Sequence, residues 1–323
     1  MFVTKAKGIR LAGRIRAGIV DWWREYSKSK MGVVGLVLFI VLVAMVLLAP
    51  VLATHDPYEN GIVIPAVDEY GIIILDQYGN PTYEVDERFN APSSTHWFGT
   101  DDRARDLWSG VLYAGRTSLF VGLVTATIII SFATTVGLMA GYFGGIIDEL
   151  IMRIADILMV LPRLPLLIVL TTMLSPSIYT IMFVIAVLGW TRPARQIRAL
   201  TLSLKQYDYV ESTKASGGGP FHIIFHHIFP NVSGIVVAHL VTETVMVILL
   251  ESGLSFLGLG DPLRLTWGQI LHNAQKTGAF SGGYWWWWVP TGFAITITCF
   301  SLAFIGTTLN DRFVLRLNQR GKD

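Results

Sequence analysis

Met31–Ala53 is an uninterrupted apolar run with no charged residue. About 20 such residues cross the hydrocarbon of a bilayer. In lipid every backbone polar group has to be satisfied within the segment, so a helix is required. A signal peptide would have a shorter apolar core and a shorter basic lead, so this run is expected to be a retained first span. Five further apolar stretches follow: Ser118–Ala140, Ile154–Leu174, a fourth beginning at Ile178–Trp190, Val232–Leu257 and Val289–Leu309. The expectation is an all-α membrane protein of six transmembrane helices. Only 15% of residues are charged and 52% are hydrophobic, against about 25% charged in soluble domains. The one cysteine, Cys299, lies inside an apolar run, which excludes an intrachain disulfide framework and a Cys-rich metal site.

The sparse charge is concentrated and orders the chain. Residues 1–31 carry eight Lys or Arg against Asp21 and Glu25, with Leu11, Ile15, Ile19 and Trp22 on one helical face. That pattern predicts a basic amphipathic helix on the inner membrane surface; the alternative is a flexible basic tail. Residues 54–114 hold eleven acids and three arginines, without lysine, and are expected outside. Tyr70–Leu75 and Thr82–Val85 read as a small hairpin. The loop 191–231 carries five Lys or Arg, and the tail 311–323 is also basic, so both are expected in the cytoplasm with the two termini. Pro162 and Pro165 should kink the third span. An outer loop, 258–284, is expected to carry a short helix near Trp267–Asn273. Trp285–Trp288 reads as an interfacial aromatic anchor.

The longest polar, Gly-rich interruption of the second half is Tyr207–Asn231. Gln206 to Lys214 lacks Gly and Pro and predicts a short helix carrying Glu211. Gly217-Gly218-Gly219 breaks it. Pro220 suits the start of a new helix, and Pro230 stops or kinks the run. Glu211, Gly217 and His227-Ile228-Phe229-Pro230-Asn231 resemble the "EAA" loop of permease subunits of binding-protein-dependent ABC importers, with Ser212 and Thr213 where two alanines usually stand. Two other stretches resemble the peptide-importer branch of that family. One is Phe98-Gly99-Thr100-Asp101 with Arg105-Asp106 and Arg116-Thr117-Ser118-Leu119, in which Ala104 replaces the usual glycine. The other is Glu251 with Ser255-Phe256-Leu257-Gly258-Leu259-Gly260, followed by Trp267-Gly268.

The resemblance implies a type I ABC importer transmembrane fold, with an extracytoplasmic loop after the first helix and an ABC transporter domain over 115–310. It implies a coupling loop in which Glu211, Ser212, Thr213, Ala215, Gly217, His227 and Pro230 meet a cytoplasmic ATPase. The implied partners are a second homologous permease, two cytoplasmic ABC ATPases and an extracytoplasmic solute-binding protein, embedded in membrane lipid. ATP and Mg would sit on the ATPases, with no cofactor, metal or catalytic residue in this chain. The implied cargo is di- or oligopeptide, with oligosaccharide or nickel as alternatives.

Ionisable groups at membrane depth default to a function or a buried partner. Four stand out: Arg163 between its two prolines, and His239, Glu243 and Glu251 in the fifth span. For His239 and Glu243, lining the path and pairing with each other both stand. For Glu251 a structural hydrogen-bonding role competes with lining the path. Thr100 or Asp101 is expected to cap a helix start. His222 and His226, spaced i and i+4, can in principle hold zinc, but no H-E-x-x-H pattern accompanies them. Gly141–Gly145 is no phosphate loop, since no Lys-Ser/Thr follows. Nucleic-acid binding does not suit a chain so rich in membrane sequence. The rival classes are an ATP-independent carrier or channel and an intramembrane metallohydrolase.

Overall fold

The computed structural model describes residues 23–68, 72–75, 79 and 81–320. The amphipathic helix expected over 1–31 therefore lies mostly outside the described residues. Its last part is visible: residues 23–26 make one helical turn, and the buried Tyr26 donates its hydroxyl to Gly32 O at 2.8 Å.

The first span is α1 (Lys30–Leu47), capped by Ser29, whose side chain accepts from Gly32 N. Pro50 forces a break at Leu48, and a short α2 (Ala49–Leu52) continues beyond it. In the loop that follows, β1 (Val63–Pro65) pairs antiparallel with β2 (Tyr83–Asp86), with Ile64 opposite Val85. The expected hairpin is present in its described part, where Thr82 N–H donates to Ile74 O at 2.8 Å, and the rest of it falls outside the described residues. Leu75 does bridge Pro81, but the ladder partner of β2 is β1.

The long helix α3 (Leu107–Phe143) starts well before the predicted Ser118, at an Asp106 cap. It is the axis of the bundle. Gly122 lies against Ile248, Gly137 against Ala194 O and Gly141 against Arg198 O. This stripe of small residues lets α7 approach at backbone distance and seats the Ile248 side chain of α10.

The expected third span is not a single rod. It is α4 (Gly145–Val160) followed by α5 (Arg163–Met173), bent by 91° at Leu161–Pro162. Only Pro162 sits at the break. Pro165 is accommodated inside the first turn of α5, where its missing N–H costs no helical bond. α6 (Ile178–Gly189) runs into α7 (Thr191–Leu204) through Trp190, which keeps near-helical angles. Then come α8 (Asp208–Ala215), the short α9 (Pro220–Ile223), a π turn (Ile224–Ile228) and α10 (Phe229–Leu254). A second π turn (Ser255–Leu259) ends α10. α11 (Trp267–Lys276) covers the expected outer-loop helix, and α12 (Trp285–Arg320) closes the chain.

Four of these helical runs are long and apolar enough to cross a membrane, or five with the bent pair taken as one span. The surface fits that setting. Phe120, Phe132, Phe183 and Phe293 are more than half exposed, whereas Thr125, Thr298 and Ser301 are fully buried. Large apolar groups face outward and small polar ones face inward, as lipid requires. α1 docks on α12 through Gly32 beside Thr308 and Gly35 beside Ser301 O. Of the tryptophan run, Trp287 is core at 1% exposure and Trp288 stacks on Phe280 at 5.1 Å; Trp285 alone points outward. Of the four, Trp287 alone is buried in the bundle.

Candidate functional site: the jointed loop and the polar groups above it

The loop joins the bundle through one buried side chain and one polar latch. α8 is polar and short, and Val210 is its one buried residue. Val210 packs with Ile197, Leu204, Ile223, Ile228 and Val232, residues drawn from α7, α9, the π turn and α10. Around this anchor Asp208, Glu211, Ser212, Lys214 and Ala215 are exposed, and Thr213 is half-buried, donating to Tyr209 O at 2.7 Å. Asp208 and Glu211 in the first turn and Lys214 in the last match the helix dipole.

The joint after α8 is a Schellman motif. Gly218 N–H donates to Thr213 O at 2.9 Å and Gly217 N–H to Lys214 O at 3.0 Å. Gly217 has φ +85°, with nothing within 4 Å of the place a side chain would occupy. The three glycines therefore differ. Gly217 is needed for its backbone angle, Gly218 for its closeness to Thr213, and Gly219 is an extended N-cap with φ −70° and open space beside it.

Pro230 does not stop the helix. It sits in the first turn of α10, directly after the π turn, and the helical run continues from Pro220 to Leu259. A π turn before proline removes the demand for the hydrogen bond that proline cannot donate. His227 is half-buried and meets His222 edge to face at 5.6 Å. Asn231 donates to His227 O at 2.6 Å and to the Tyr209 hydroxyl at 3.3 Å, which latches α8 to the base of α10. Sequence reasoning missed Val210 and this latch. A lone branched apolar residue in a polar helix was the available signal. His222 and His226 stack at 4.4 Å, with no carboxylate ligand in a cluster with them among the described residues.

The same end of the bundle is tied by ion pairs. Arg198 of α7 donates to Asp148 of α4, Arg195 to Asp156, and Lys205 Nζ to Gly141 O at 3.0 Å. Asp148 and Asp156 thus brace α4 against α7.

Arg163 opens α5 just past the 91° break and rests beside Gly189. Its Nε and Nη2 are buried without a partner. Together with Arg192 it lines a cavity of about 270 Å³ whose wall includes Leu158, Pro162, Leu188 and Thr191. Glu243, 9% exposed, lies within electrostatic reach of Arg163 and Arg192, yet its Oε2 has no hydrogen-bond partner. His239 Nε2 is likewise unpartnered, so these atoms do not form the mutual pair weighed above. Glu251 is elsewhere in character. It is 1% exposed and accepts from Ser255 Oγ at 2.8 Å. Gly268 packs against Ser252 O and Ser255 so closely that a methyl there would meet backbone at 2.7 Å. Trp267 is pinned by N–H to Ser118 Oγ at 3.2 Å and by Nε1–H to Val111 O at 3.0 Å. The apolar Ser-Phe-Leu-Gly-Leu-Gly stretch is thus a tight turn that seats α11 on α3.

At the start of α3, Asp106, not Thr100 or Asp101, is the cap; its side chain accepts from Ser109 N at 2.8 Å. Thr100 instead donates its hydroxyl to Glu87 O, and Asp101 accepts from Arg103 N and from Arg105 Nε.

Residues 133–319 match the family described as binding-protein-dependent transport system inner membrane component. Residues 19–65 match the N-terminal transmembrane domain of oligopeptide transport permease C. Among similar proteins, the dipeptide transport system permease protein of Bacillus subtilis is 32% identical over 90% of this chain and 83% of its own length. The oligopeptide transport system permease protein of the same organism is 30% identical over 96% of this chain and 95% of its own. The dipeptide permease of Haemophilus influenzae is 29% identical over 93% and 95%.

Proposed function

Taking as premise that this chain belongs to the family of binding-protein-dependent transport-system inner-membrane components, we propose that it forms half of the membrane path of an ATP-driven importer of di- or oligopeptides. The relatives' names support the peptide cargo. The observation that carries the mechanism is the exposed polar face of α8, held to α7, α9, the π turn and α10 by the buried Val210 and latched to α10 through Tyr209 and Asn231.

In this reading six spans cross the membrane, α4 with α5 and α6 with α7 each supplying one, and both termini are cytoplasmic. The acidic loop 54–114 faces outward. Two ATPases bind the inner side, a second permease completes the path, and a solute-binding protein delivers cargo outside. Neither ATP nor magnesium binds this chain. Closure of the ATPases displaces the Glu211 face of α8. Because Val210 packs on α7 and α10 together, that displacement reaches both, and α10 carries His239 and Glu243. ATP thus biases a two-state element. Arg163, Glu243 and His239, buried and under-partnered, are the path candidates. Glu251 belongs with the hydrogen bonds that hold the outer turn.

The test is to reconstitute the complex with Glu211→Ala and measure solute-stimulated ATP hydrolysis. Stimulation is expected to fall while the basal rate and subunit assembly persist. Stimulation equal to wild type would remove α8 from the coupling route.

A further inference from the structure

Where the first span ends and α3 begins, three metal-ligating side chains converge: His55, His96 and Asp106. One ligand atom from each lies within 4.8 Å of the others. Asp106 divides its carboxylate. Oδ2 accepts from Ser109 N at 2.8 Å, Ser109 Oγ at 2.6 Å and Thr54 Oγ1 at 3.1 Å. Oδ1 faces the two imidazoles, with His96 Nδ1 at 2.9 Å and His55 Nδ1 at 4.0 Å. The rings stack with centroids 4.5 Å apart. His55 Nδ1 also lies 3.1 Å from Thr54 Oγ1.

We propose that His55, His96 and Asp106 form a binding site for one divalent late first-row metal ion of the zinc type. Two neutral imidazoles and one carboxylate make a donor set that suits zinc and not magnesium or calcium. Bonds of about 2.0–2.1 Å in tetrahedral geometry set ligand atoms about 3.3 Å apart. The two measured separations, 2.9 and 4.0 Å, bracket that value. The three ligand atoms, all within 4.8 Å of one another, close on the ion by rotation of the imidazole side chains. The Asp106 side chain is fully buried, that of His96 12% exposed and that of His55 46% exposed. The carboxylate is therefore fixed, and the ion enters past His55. A fourth position on that side is left to water or to a donor from solution.

The positive end of α3 opposes a cation here. The Asp106 hydrogen bonds through Oδ2 meet that field and leave Oδ1 for the metal. Those same bonds orient the ligand from behind, the role of outer-shell partners in metal sites. The ion would clip the chain after α2 to the start of α3 and close the loop 54–106 at its base. Thr54 N and His55 N already donate to Ser109 Oγ, so the closure exists and the metal reinforces it.

The experiment uses the full-length, tag-free chain in detergent, stripped of metal by chelation, with Co²⁺ as probe. One equivalent per chain is expected to give the visible d–d bands of a tetrahedral N/O site, displaced by Zn²⁺, with a Tm several degrees higher. Bands and Tm gain are expected to vanish in the His55→Ala/His96→Gln double variant and to persist in His222→Ala/His226→Ala. Absence of saturable bands in the wild-type chain, or their survival in the first double variant, overturns the assignment. The wild-type titration decides the matter even if a variant folds poorly.

Discussion

Gly217→Ala isolates the backbone angle of the joint from every contact around it. The residue has φ +85° and nothing within 4 Å of the added methyl, so the cost is conformational alone. An L-residue in that region costs about 1–2 kcal/mol. By the usual conversion, that is roughly a 5- to 30-fold shift from the capped to the opened joint. The opening breaks two bonds, Gly218 N–H to Thr213 O and Gly217 N–H to Lys214 O. Hydrogen exchange of those two amides in the reconstituted complex reads the shift directly. We expect exchange to rise by roughly that 5- to 30-fold factor, together with a loss of solute-stimulated ATP hydrolysis. Gly217→Asn should recover most of both, because Asn tolerates the left-handed region. Gly219→Ala should change neither, since φ there is −70° and the space is open. Equal effects at positions 217 and 219 would refute the reasoning, because the three glycines would then act as a merely flexible string.

Gly137→Ala and Gly141→Ala would place a methyl 2.8 Å from Ala194 O and from Arg198 O respectively. Each should cost about 1–3 kcal/mol by overpacking, read as a lower Tm in detergent, whereas Gly253→Ala, with open space, should be neutral or stabilising. Trp267→Phe removes the donor to Val111 O in a site 2% exposed. It should cost about 1–3 kcal/mol, checked by the same thermal measurement. Asp102 has a buried, unpartnered Oδ1, and burial followed by the neighbouring Asp101 charge raises its carboxyl above the ordinary range. A raised folded value means the folded state holds the proton more tightly, so ionisation costs stability as pH rises. Asp102→Asn should therefore raise Tm at neutral pH, and the gain should shrink as pH falls towards the ordinary carboxylate range, followed by Tm across a pH series.

Runs of apolar residues located the long apolar helices because lipid imposes a single solution on such segments. Their ends were less legible. α3 begins at Leu107, since the Asp106 cap outranks the loss of apolarity across Arg116. Pro162 and Pro165 look alike in sequence. Only their phase relative to the helix start separates a break from an ordinary first turn. The Glu211 helix and its glycine joint were readable as local features. Which glycine carries the positive φ was not, since that depends on where α8 chooses to end. Val210, the Asn231–Tyr209 latch and the His55, His96 and Asp106 cluster are contacts between distant parts of the chain, and no spacing rule announces them. The polar residues of α10 were visible as anomalies in an apolar helix. That Glu243 faces Arg163 and Arg192, whereas Glu251 is enclosed by Ser255, follows from the bend at Pro162 and from α11.

The π turn at Ile224–Ile228 also sets a bearing. A π turn carries one surplus residue, and one residue of an α-helix is about 100° of azimuth. Everything downstream in α10 is rotated by that amount relative to Phe221 and the start of α9. Winding this turn as regular α-helix, with every residue kept, would swing Glu243 away from Arg163 towards a different side of the bundle. The compass direction of that carboxylate is thus written in a one-residue excess at the helix foot.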